Sequence, residues 1–286
     1  MDTKPEYLQG VGPPGRMPLP LEKRLASDLG AALDEASKYF RGESDVHQTL
    51  RRVCRRLEEL SIPYAVAGGL AVTAHGLRRV TEDVDIVVDR EGLRRIHSEL
   101  EGLGYVRLFK GSKNLRDVQT GVRVEFLITG GFPGDGRPKP VSFPAPDSVA
   151  EAHDGIKYIN LPTLIELKLA SGISNKNRIK DISDVQELIK VVGLPKEIAT
   201  QLNPYVRDKY VELWSGVHEG KTRFVRQWTR TTESESQLAT MRDEGVQVEP
   251  LTGDQVRLVS TDPDLARKYD MHEESEFFPP ESDASA

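Results

Sequence analysis

The sequence has a single cysteine, Cys54, so the chain cannot form an internal disulfide. Its place in the segment RRVCRRLEEL, which has a helical pattern, indicates a packing residue. No run approaches the roughly 18 consecutive apolar residues of a membrane-spanning helix. The first residues, MDTKPEYLQG, lack the apolar stretch of a secretion signal. These absences predict a protein of the reducing cytoplasm that does not act at a membrane.

The chain also lacks a strong excess of either charge, with 39 lysines and arginines against 45 aspartates and glutamates among 286 residues. Residues 261–286 contain eight acids and two bases, which accounts for the whole net charge of −6 and leaves residues 1–260 formally neutral. Overall charge therefore excludes neither a nucleic acid nor a nucleotide as partner.

Several common nucleotide and metal signatures are missing. There is no Gly-x-x-x-x-Gly-Lys-Ser/Thr run and no Gly-x-Gly-x-x-Gly after a predicted strand, which argues against a P-loop ATPase and a dehydrogenase. The six histidines are scattered without the spacing of metal ligands, which argues against a histidine-based zinc site.

The sequence pattern predicts an α+β protein. Its parts are a flexible Pro/Gly-rich segment (1–20), N-terminal helices (21–60), a domain of strands and helices (61–160), a helical subdomain (161–217), a small α+β appendage (218–270) and an acidic disordered tail (271–286). Expected strands cover 64–67, 83–89, 105–109, 122–128 and 158–161, with a hairpin turn at Thr120-Gly121. Expected helices cover 21–40, 46–60, 70–77, 94–103, 163–170, 180–192 and a stretch near 233–243.

A Gly-Gly pair, Gly68-Gly69, follows the first predicted strand and precedes an apolar helix. Only glycine lets a phosphate approach backbone N–H groups so closely. Asp83 and Asp85 lie two apart on the next strand, so both carboxylates point to one face and repel unless a divalent cation neutralises them. Taken alone, the glycines could form an ordinary turn and the aspartates a solvated strand edge. Together they form the arrangement that metal-dependent nucleotidyl transfer requires.

This segment resembles the signature of the polymerase-β-like nucleotidyltransferases, in the branch that includes AbiEii-type toxins and small antibiotic nucleotidyltransferases. The resemblance implies a mixed β-sheet flanked by helices, a C-terminal helical subdomain and an enzyme that uses one or two Mg²⁺ ions. It covers about residues 60–192 and rests on Gly68-Gly69-x-Ala71, His75-Gly76 and Arg79-x-Thr81-x-Asp83-x-Asp85.

Members of this superfamily often carry a third carboxylate on a later strand of the sheet. Glu125, in VRVEFLI, is the candidate for this ligand or for a base, and Asp117 is the fallback. Glu125 could instead be an exposed partner of Arg123 or of a neighbouring strand.

A second stretch resembles an AbiEii-like helical element, with Lys168 in the run LIELKLA and Arg178, Asp181 and Asp184 in RIKDISD. A lysine aimed into a cleft can neutralise phosphate charge, and the resemblance extends this role to Arg178. Asp181 and Asp184 share one helix face and could orient a base or ribose, or hold Lys168 or Arg178 by an ion pair. The alternative is a packed helix pair with a surface charge network.

Two basic clusters bear on possible partners. One is a helix that carries Arg51, Arg52, Arg55 and Arg56; the other is KTRFVRQWTR (221–230), which interleaves aromatics with bases. Such a pattern can hold single-stranded nucleic acid by stacking and phosphate contacts. The alternative is a solvated helix face whose aromatics cover the core.

The sequence therefore predicts a Mg²⁺-dependent enzyme that transfers an NMP from an NTP, such as ATP, to an acceptor hydroxyl and releases pyrophosphate. Asp83, Asp85 and Glu125 are the predicted catalytic and metal-binding residues. The predicted nucleotide-binding residues are Gly68, Gly69, Arg79, Thr81, Lys168, Arg178, Asp181 and Asp184. The acceptor could be a tRNA end, a protein or a small molecule. The competing hypothesis is a non-catalytic nucleotide-binding or protein-interaction module on the same fold, paired with a cognate partner in a toxin–antitoxin-like system.

Overall fold

A computed structural model describes residues 19–218, 223–231 and 234–274. The chain forms two compact units, Met1–Val211 and Glu212–Ala286. Most of the predicted flexible segment 1–20, and the predicted acidic tail from residue 275 onward, lie outside the described residues. Within the described ranges, no helix is both long and apolar enough to cross a membrane. The finer division into domains made from the sequence stays a prediction.

The first unit begins with three helices, α1 (Leu21–Ser27), α2 (Leu29–Phe40) and α3 (Asp45–Glu59). The single helix predicted over 21–40 is therefore wrong. Asp28 interrupts it with an extended backbone (φ −139°, ψ 105°), and its carboxylate caps α2 by accepting a hydrogen bond from the Ala31 amide. Leu50, Val53 and Leu57 recur at helical spacing on α3 and are buried.

A mixed sheet of seven strands forms the centre of this unit. Its order is β3-β4-β5-β2-β1-β7-β6, with β2 parallel to β5 and β1 parallel to β7. This sheet and its flanking helices confirm the predicted α+β fold class. The elements are β1 (Ala65–Val66), α4 (Gly68–Ala74), β2 (Asp83–Val88), α5 (Arg90–Leu100), β3 (Tyr105–Arg107), β4 (Leu115–Asp117), β5 (Arg123–Ile128), β6 (Ala150–His153) and β7 (Ile156–Ile159).

The sequence reasoning missed two short strands, β4 and β6. The predicted turn at Thr120-Gly121 joins β4 to β5, which pair antiparallel. Along β2 and β5, side chains alternate between a buried apolar face, with Val84, Ile86 and Phe126, and a polar face. This alternation leaves the charged residues of both strands on one side of the sheet.

Three more α-helices follow, α6 (Leu161–Ser174), α7 (Ile179–Leu188) and α8 (Pro204–His218). The last of them continues past Val211, the last residue of the first unit. The predicted helix 180–192 ends early, in a π-helical turn at Ile189–Gly193. Helices α6 and α7 pack closely because Gly172 lies against Ile182; a Cβ on Gly172 would be 2.4 Å from Ile182 Cγ1. This contact sets the distance between the charged residues of the two helices.

The second unit contains a four-stranded antiparallel sheet of order β11-β8-β10-β9. Its elements are β8 (Arg223–Thr229), α9 (Glu235–Asp243), β9 (Gln247–Pro250), β10 (Gln255–Ser260), α10 (Pro263–Lys268) and β11 (His272–Glu274). This is a β-α-β-β-α-β unit of the ferredoxin-like type. The described part of KTRFVRQWTR is a strand, so the helix-face interpretation is wrong. Phe224 and Trp228 are partly buried and pack against the core of this unit.

Candidate functional site

The two glycines of the predicted phosphate turn lie where β1 meets α4. Gly68 has a φ of +59°, which glycine adopts without strain. A Cβ on Gly68 would lie 1.8 Å from Asp85 Oδ2, and a Cβ on Gly69 would lie 2.8 Å from Thr81 Cβ and 3.3 Å from Arg79 Nη2. The glycines are therefore required by the close approach of these three side chains, independently of any ligand.

Three carboxylates converge because β2 and β5 are parallel neighbours in the sheet. The register places Asp85 beside Glu125. One carboxylate oxygen from each of Asp83, Asp85 and Glu125 lies within 4.8 Å of the others. Thr81 Oγ1 donates a 2.9 Å hydrogen bond to Asp83 Oδ1, so the loop before β2 orients this carboxylate. All three predicted metal ligands meet at one point.

Arg123 bridges two of these carboxylates. Its Nη2 lies 2.9 Å from Asp83 Oδ2, and its Nε lies 2.9 Å from Glu125 Oε1. Glu125 is thus both a partner of Arg123 and a member of the three-carboxylate cluster. From the sequence, Arg123 is expected only as a competing partner of Glu125. Its pairing with Asp83 follows from the β2–β5 register, in which the two residues lie opposite each other.

The carboxyl of Asp85 is strongly perturbed by its surroundings. Burial and the charges of Asp83 and Glu125 raise its pKa to about 7, and Lys168 and Arg178 only partly oppose this shift. Near neutral pH the Asp85 carboxyl therefore resists full ionisation. A cation at this point would relieve the repulsion.

These residues fit a hard divalent metal ion. They offer three carboxylate oxygens on two adjacent strands, and carboxylate oxygen is the ligand type that Mg²⁺ prefers. Three protein ligands leave positions for substrate oxygens, as in sites where Mg²⁺ binds a nucleotide. Asp117, the fallback ligand, lies elsewhere: it is 1% exposed and accepts hydrogen bonds from Thr49 and Arg52.

A buried ion network lies between α6 and α7. Lys168 Nζ is 3.0 Å from Asp181 Oδ1 and 2.6 Å from Asp184 Oδ2. Asp181 Oδ2 also accepts hydrogen bonds from Ser171 Oγ at 2.6 Å and from Arg178 Nε at 2.8 Å. Burial disfavours the charge of Asp181, but Lys168, Ser171 and Arg178 outweigh it and hold its pKa below the ordinary value. Asp181 and Asp184 could contact a base or ribose, or form ion pairs with Lys168 or Arg178. The structure shows ion pairs.

Arg79 joins this network from the loop before β2. Its Nη1 is paired with both carboxylate oxygens of Asp184. Its Nε is buried and has no hydrogen-bond partner among the described residues. Ser171 was not identified from the sequence, although it lies one turn after Lys168 on the same helix and faces the same carboxylate.

One cleft of about 550 Å³ collects most of the predicted site. Its lining includes both glycines, Arg79, Thr81, the three carboxylates, Lys168, Arg178 and Asp181. Arg123, Glu82 and Lys180 also line it. All of the sequence-predicted site residues except Asp184 thus line one cleft, with the carboxylates and the cations on its walls.

A second groove of about 920 Å³ lies between α3, α4 and the β6–β7 hairpin, and none of the predicted site residues lines it. Its wall carries Arg51 and Arg55 of the first basic cluster, together with Glu58 and Asp154. These charges balance one another, so the groove is not a basic surface. His75 also has a structural role, since its Nε2 lies 2.8 Å from the Ile159 carbonyl oxygen.

Comparison with known families finds a match over residues 49–129 to the family model described as Aminoglycoside-2''-adenylyltransferase. The match spans less than half of the chain and includes the two glycines and the three carboxylates. It is to an antibiotic nucleotidyltransferase, so the AbiEii-type branch stays a prediction. No curated protein matches.

Three solved structures are similar at low identity. An antigenic nucleotidyltransferase-like protein from Paracoccidioides brasiliensis is 17% identical over 51% of this chain and 75% of its own, with a TM-score of 0.37. ANT(2")-Ia, in complex with adenylyl-2"-tobramycin, is 13% identical over 59% and 97%, with a TM-score of 0.37. A protein described as a nucleotidyltransferase from H. pylori is 16% identical over 60% and 92%, with a TM-score of 0.35. The family match over residues 49–129 is what relates the segment with the two glycines and the three carboxylates to nucleotidyltransferases.

Proposed function

We propose that this protein is a metal-dependent nucleotidyltransferase that transfers an NMP unit from an NTP to an acceptor hydroxyl. The observation that carries the proposal is the convergence of Asp83, Asp85 and Glu125 within 4.8 Å. Arg79, Lys168 and Arg178 line the same cleft. This chemistry has two requirements. One is a cluster of carboxylates that can hold a metal, and the other is a set of cations that can hold phosphates.

In the proposed reaction, the acceptor oxygen forms a bond to the α-phosphorus while the bond from that phosphorus to the bridging oxygen breaks. The acceptor proton leaves to a base, and pyrophosphate is released. Asp83, Asp85 and Glu125 hold one or two Mg²⁺ ions, or Glu125 accepts the proton. When bound, Mg²⁺ would neutralise the triphosphate and activate the acceptor hydroxyl. Arg123 holds Asp83 and Glu125 in place.

In this proposal, the cations of the cleft bind the phosphates of the NTP. Lys168 and Arg178 compensate the charge of the β- and γ-phosphates, and Arg79 and Thr81 order the loop beside Gly68 and Gly69, which admit the phosphates to the backbone. The matched family supports a nucleotide as substrate, and ATP is the first NTP to test.

The described lining of the cleft carries five acids and five bases, so it offers a cationic acceptor no excess of negative charge. Three of its five acids are the proposed metal ligands, and Asp181 is engaged by Lys168 and Arg178. Glu82 is the remaining acid in the described lining. A polycationic aminoglycoside would need more free carboxylates, so we propose an RNA end, such as tRNA, or a protein hydroxyl.

The alternative is a catalytically inactive nucleotide-binding or protein-interaction module, with a cognate partner as in AbiEii-type toxin–antitoxin pairs. A wide separation of the three carboxylates would have favoured it. Their close approach favours catalysis instead.

The test is incubation of the purified protein and Mg²⁺ with each labelled NTP, in turn with total tRNA, with an aminoglycoside and alone. We expect label on RNA or on the protein itself. The double variant Asp83→Ala/Asp85→Ala should abolish it, while Asp154→Asn, a change in the exposed β6–β7 turn, should not. Label on the aminoglycoside would contradict the acceptor proposal only. Absence of label with every acceptor would favour the inactive module.

A further inference from the structure

Arg123, on β5, contacts the three-carboxylate cluster directly, and this contact carries an inference that rests on the proposed function and deepens it. Its Nη2 lies 2.9 Å from Asp83 Oδ2, and its Nε lies 2.9 Å from Glu125 Oε1. Among the residues that the structure describes, no other base forms an ion pair with Asp83, Asp85 or Glu125. The cluster therefore has one protein cation, which is shared by two of its three carboxylates.

Arg123 and a divalent ion would use the same carboxylate oxygens. Both oxygens of Asp83 have donors, Oδ1 from Thr81 and Oδ2 from Arg123. Mg²⁺ requires near-ideal geometry around its oxygen ligands, so a guanidinium on one of those oxygens hinders it. The guanidinium also repels the ion, because like charges a few ångströms apart interact strongly at a partly buried site. Both effects lower the affinity of the cluster for a metal.

Arg123 keeps its positive charge throughout the physiological pH range. Burial lowers the pKa of its guanidinium, but the hydrogen bond to Asp83 and the charges of Glu125, Asp83 and Glu22 outweigh burial and raise the pKa above its ordinary value. An arginine side chain does not release its proton in a protein. A metal ion therefore has to displace the guanidinium or share the carboxylate oxygens with it.

Removal of Arg123 would weaken metal binding if its main effect were to hold the carboxylates in position. Two other features already position them. The register of the parallel strands β2 and β5 places Asp85 beside Glu125. Thr81 Oγ1 donates a 2.9 Å hydrogen bond to Asp83 Oδ1. Neither feature depends on the guanidinium, so the effect of its charge on a metal ion should outweigh its effect on position.

We propose that Arg123 is a resident counter-ion that sets the metal affinity of the cluster. It relieves the repulsion between Asp83 and Glu125 in the metal-free protein, and it competes with a divalent ion for the same two carboxylates. The phosphates of a nucleotide bring negative charge that offsets the guanidinium. The site therefore favours a metal that is bound together with a nucleotide over a metal alone.

The test measures Mn²⁺ binding by calorimetry, and Tm in chelator and in Mn²⁺. Arg123→Gln removes the charge and keeps a polar side chain. It should lower Tm in chelator, because the carboxylates then lack a counter-ion, and it should tighten Mn²⁺ binding about tenfold at low salt. A non-hydrolysable NTP analogue should narrow this difference. Arg123→Lys keeps the charge and should bind Mn²⁺ within about twofold of the wild-type protein.

Arg107→Gln is the matched control. Arg107 is also an arginine on a strand, its Nε lies 2.8 Å from Glu101 Oε2, and its side chain is 34% exposed, against 38% for Arg123. It lies outside the described lining of the cleft. This variant loses an ion pair of the same kind and should leave Mn²⁺ affinity unchanged.

The inference would be overturned by a wild-type protein that binds Mn²⁺ as tightly as Arg123→Gln or more tightly, and the metal site would still stand. A variant that stays unfolded in excess Mn²⁺ would show that Arg123 is structural and would also overturn it. A difference that the NTP analogue does not narrow would contradict the coupling to the nucleotide.

Failure of the proposed function has different signatures. Absence of Mn²⁺ binding in both the wild-type protein and Arg123→Gln would contradict the metal site itself. Mn²⁺ binding in the expected order, with no nucleotide transfer, would contradict the transferase and leave the counter-ion role of Arg123 standing.

Discussion

At the scale of single residues, Asp85 connects the stability of the protein to its proposed chemistry. Burial and two neighbouring carboxylates raise its pKa to about 7. Because this value lies above that of the unfolded chain, the folded protein retains a proton that the unfolded chain releases. The stabilising contribution is present below the unfolded pKa and is lost as pH rises toward 7.

Asp85→Asn should therefore stabilise the metal-free protein more at pH 8 than at pH 5. The amide keeps the shape of the side chain without its charge, and the gain should grow by about 2 kcal/mol between these two pH values, at about 1.4 kcal/mol per pKa unit. Denaturant unfolding in the presence of a chelator measures it. An equal effect of the substitution at both pH values would contradict the perturbed carboxyl.

At the scale of elements, the β1–α4 turn depends on Gly68 for two separate reasons, its positive φ and the contact with Asp85. Gly68→Ala should cost about 1 kcal/mol from backbone strain and should also displace the Asp85 carboxylate, so that nucleotide transfer falls at least about tenfold. Gly102→Ala is the matched control, since its φ is +82° and a Cβ would meet nothing within 4 Å. Equal loss of transfer in both variants would show that strain, rather than the carboxylate contact, is responsible.

The α6–α7 contact makes a second prediction at this scale. Gly172→Ala should push Ile182 away, separate Lys168 from Asp181 and Asp184, and destabilise the protein by about 1–3 kcal/mol through overpacking. Adding Ile182→Ala should recover part of the stability and of the nucleotide affinity. Gly216→Ala is the control, because a Cβ at this position of α8 would meet nothing within 4 Å. It should change neither the stability nor the nucleotide affinity. Melting curves and KM for NTP decide between these outcomes.

How much the sequence could reveal varied between these elements. The charged face of β2 followed from strand alternation, and the buried stripe of α3 followed from helical periodicity. The break at Asp28 was not visible because an aspartate within a helical pattern can be either an interior residue or a cap. Strands β4 and β6 have only three and four residues, too few for an alternating pattern to stand out.

In the site, too, local sequence identifies candidate residues but does not reveal their partners in the fold. Glu125 could be named as a candidate, but its proximity to Asp85 depends on the parallel pairing of β2 with β5, which local sequence does not encode. The partners of Asp184 lie in α6 and in a loop 105 positions earlier in the chain, so the choice between nucleotide contact and ion pair required the structure. Phe224 and Trp228 were assigned to a helix or to nucleic acid because a short basic-aromatic run fits either pattern.

At the scale of the whole molecule, every proposed site residue lies in the first compact unit, Met1–Val211. The acids that give the chain its net charge of −6 lie beyond residue 260, in the second unit. The composition of the whole chain is therefore a poor guide to its substrate. The local balance of the cleft, with carboxylates assigned to metal and cations to phosphate, carries the functional account.

The central claim is that Asp83, Asp85 and Glu125 hold the metal for nucleotidyl transfer. The most direct measurement is pyrophosphate release from NTP, with and without Mg²⁺, by the wild-type protein and by Asp83→Asn, Asp85→Asn, Glu125→Gln and the control Asp117→Asn. We expect Mg²⁺-dependent release by the wild-type protein and the control, and a loss of at least about a hundredfold in each of the three site variants. Release that persists undiminished in Asp83→Asn and Asp85→Asn would contradict the account.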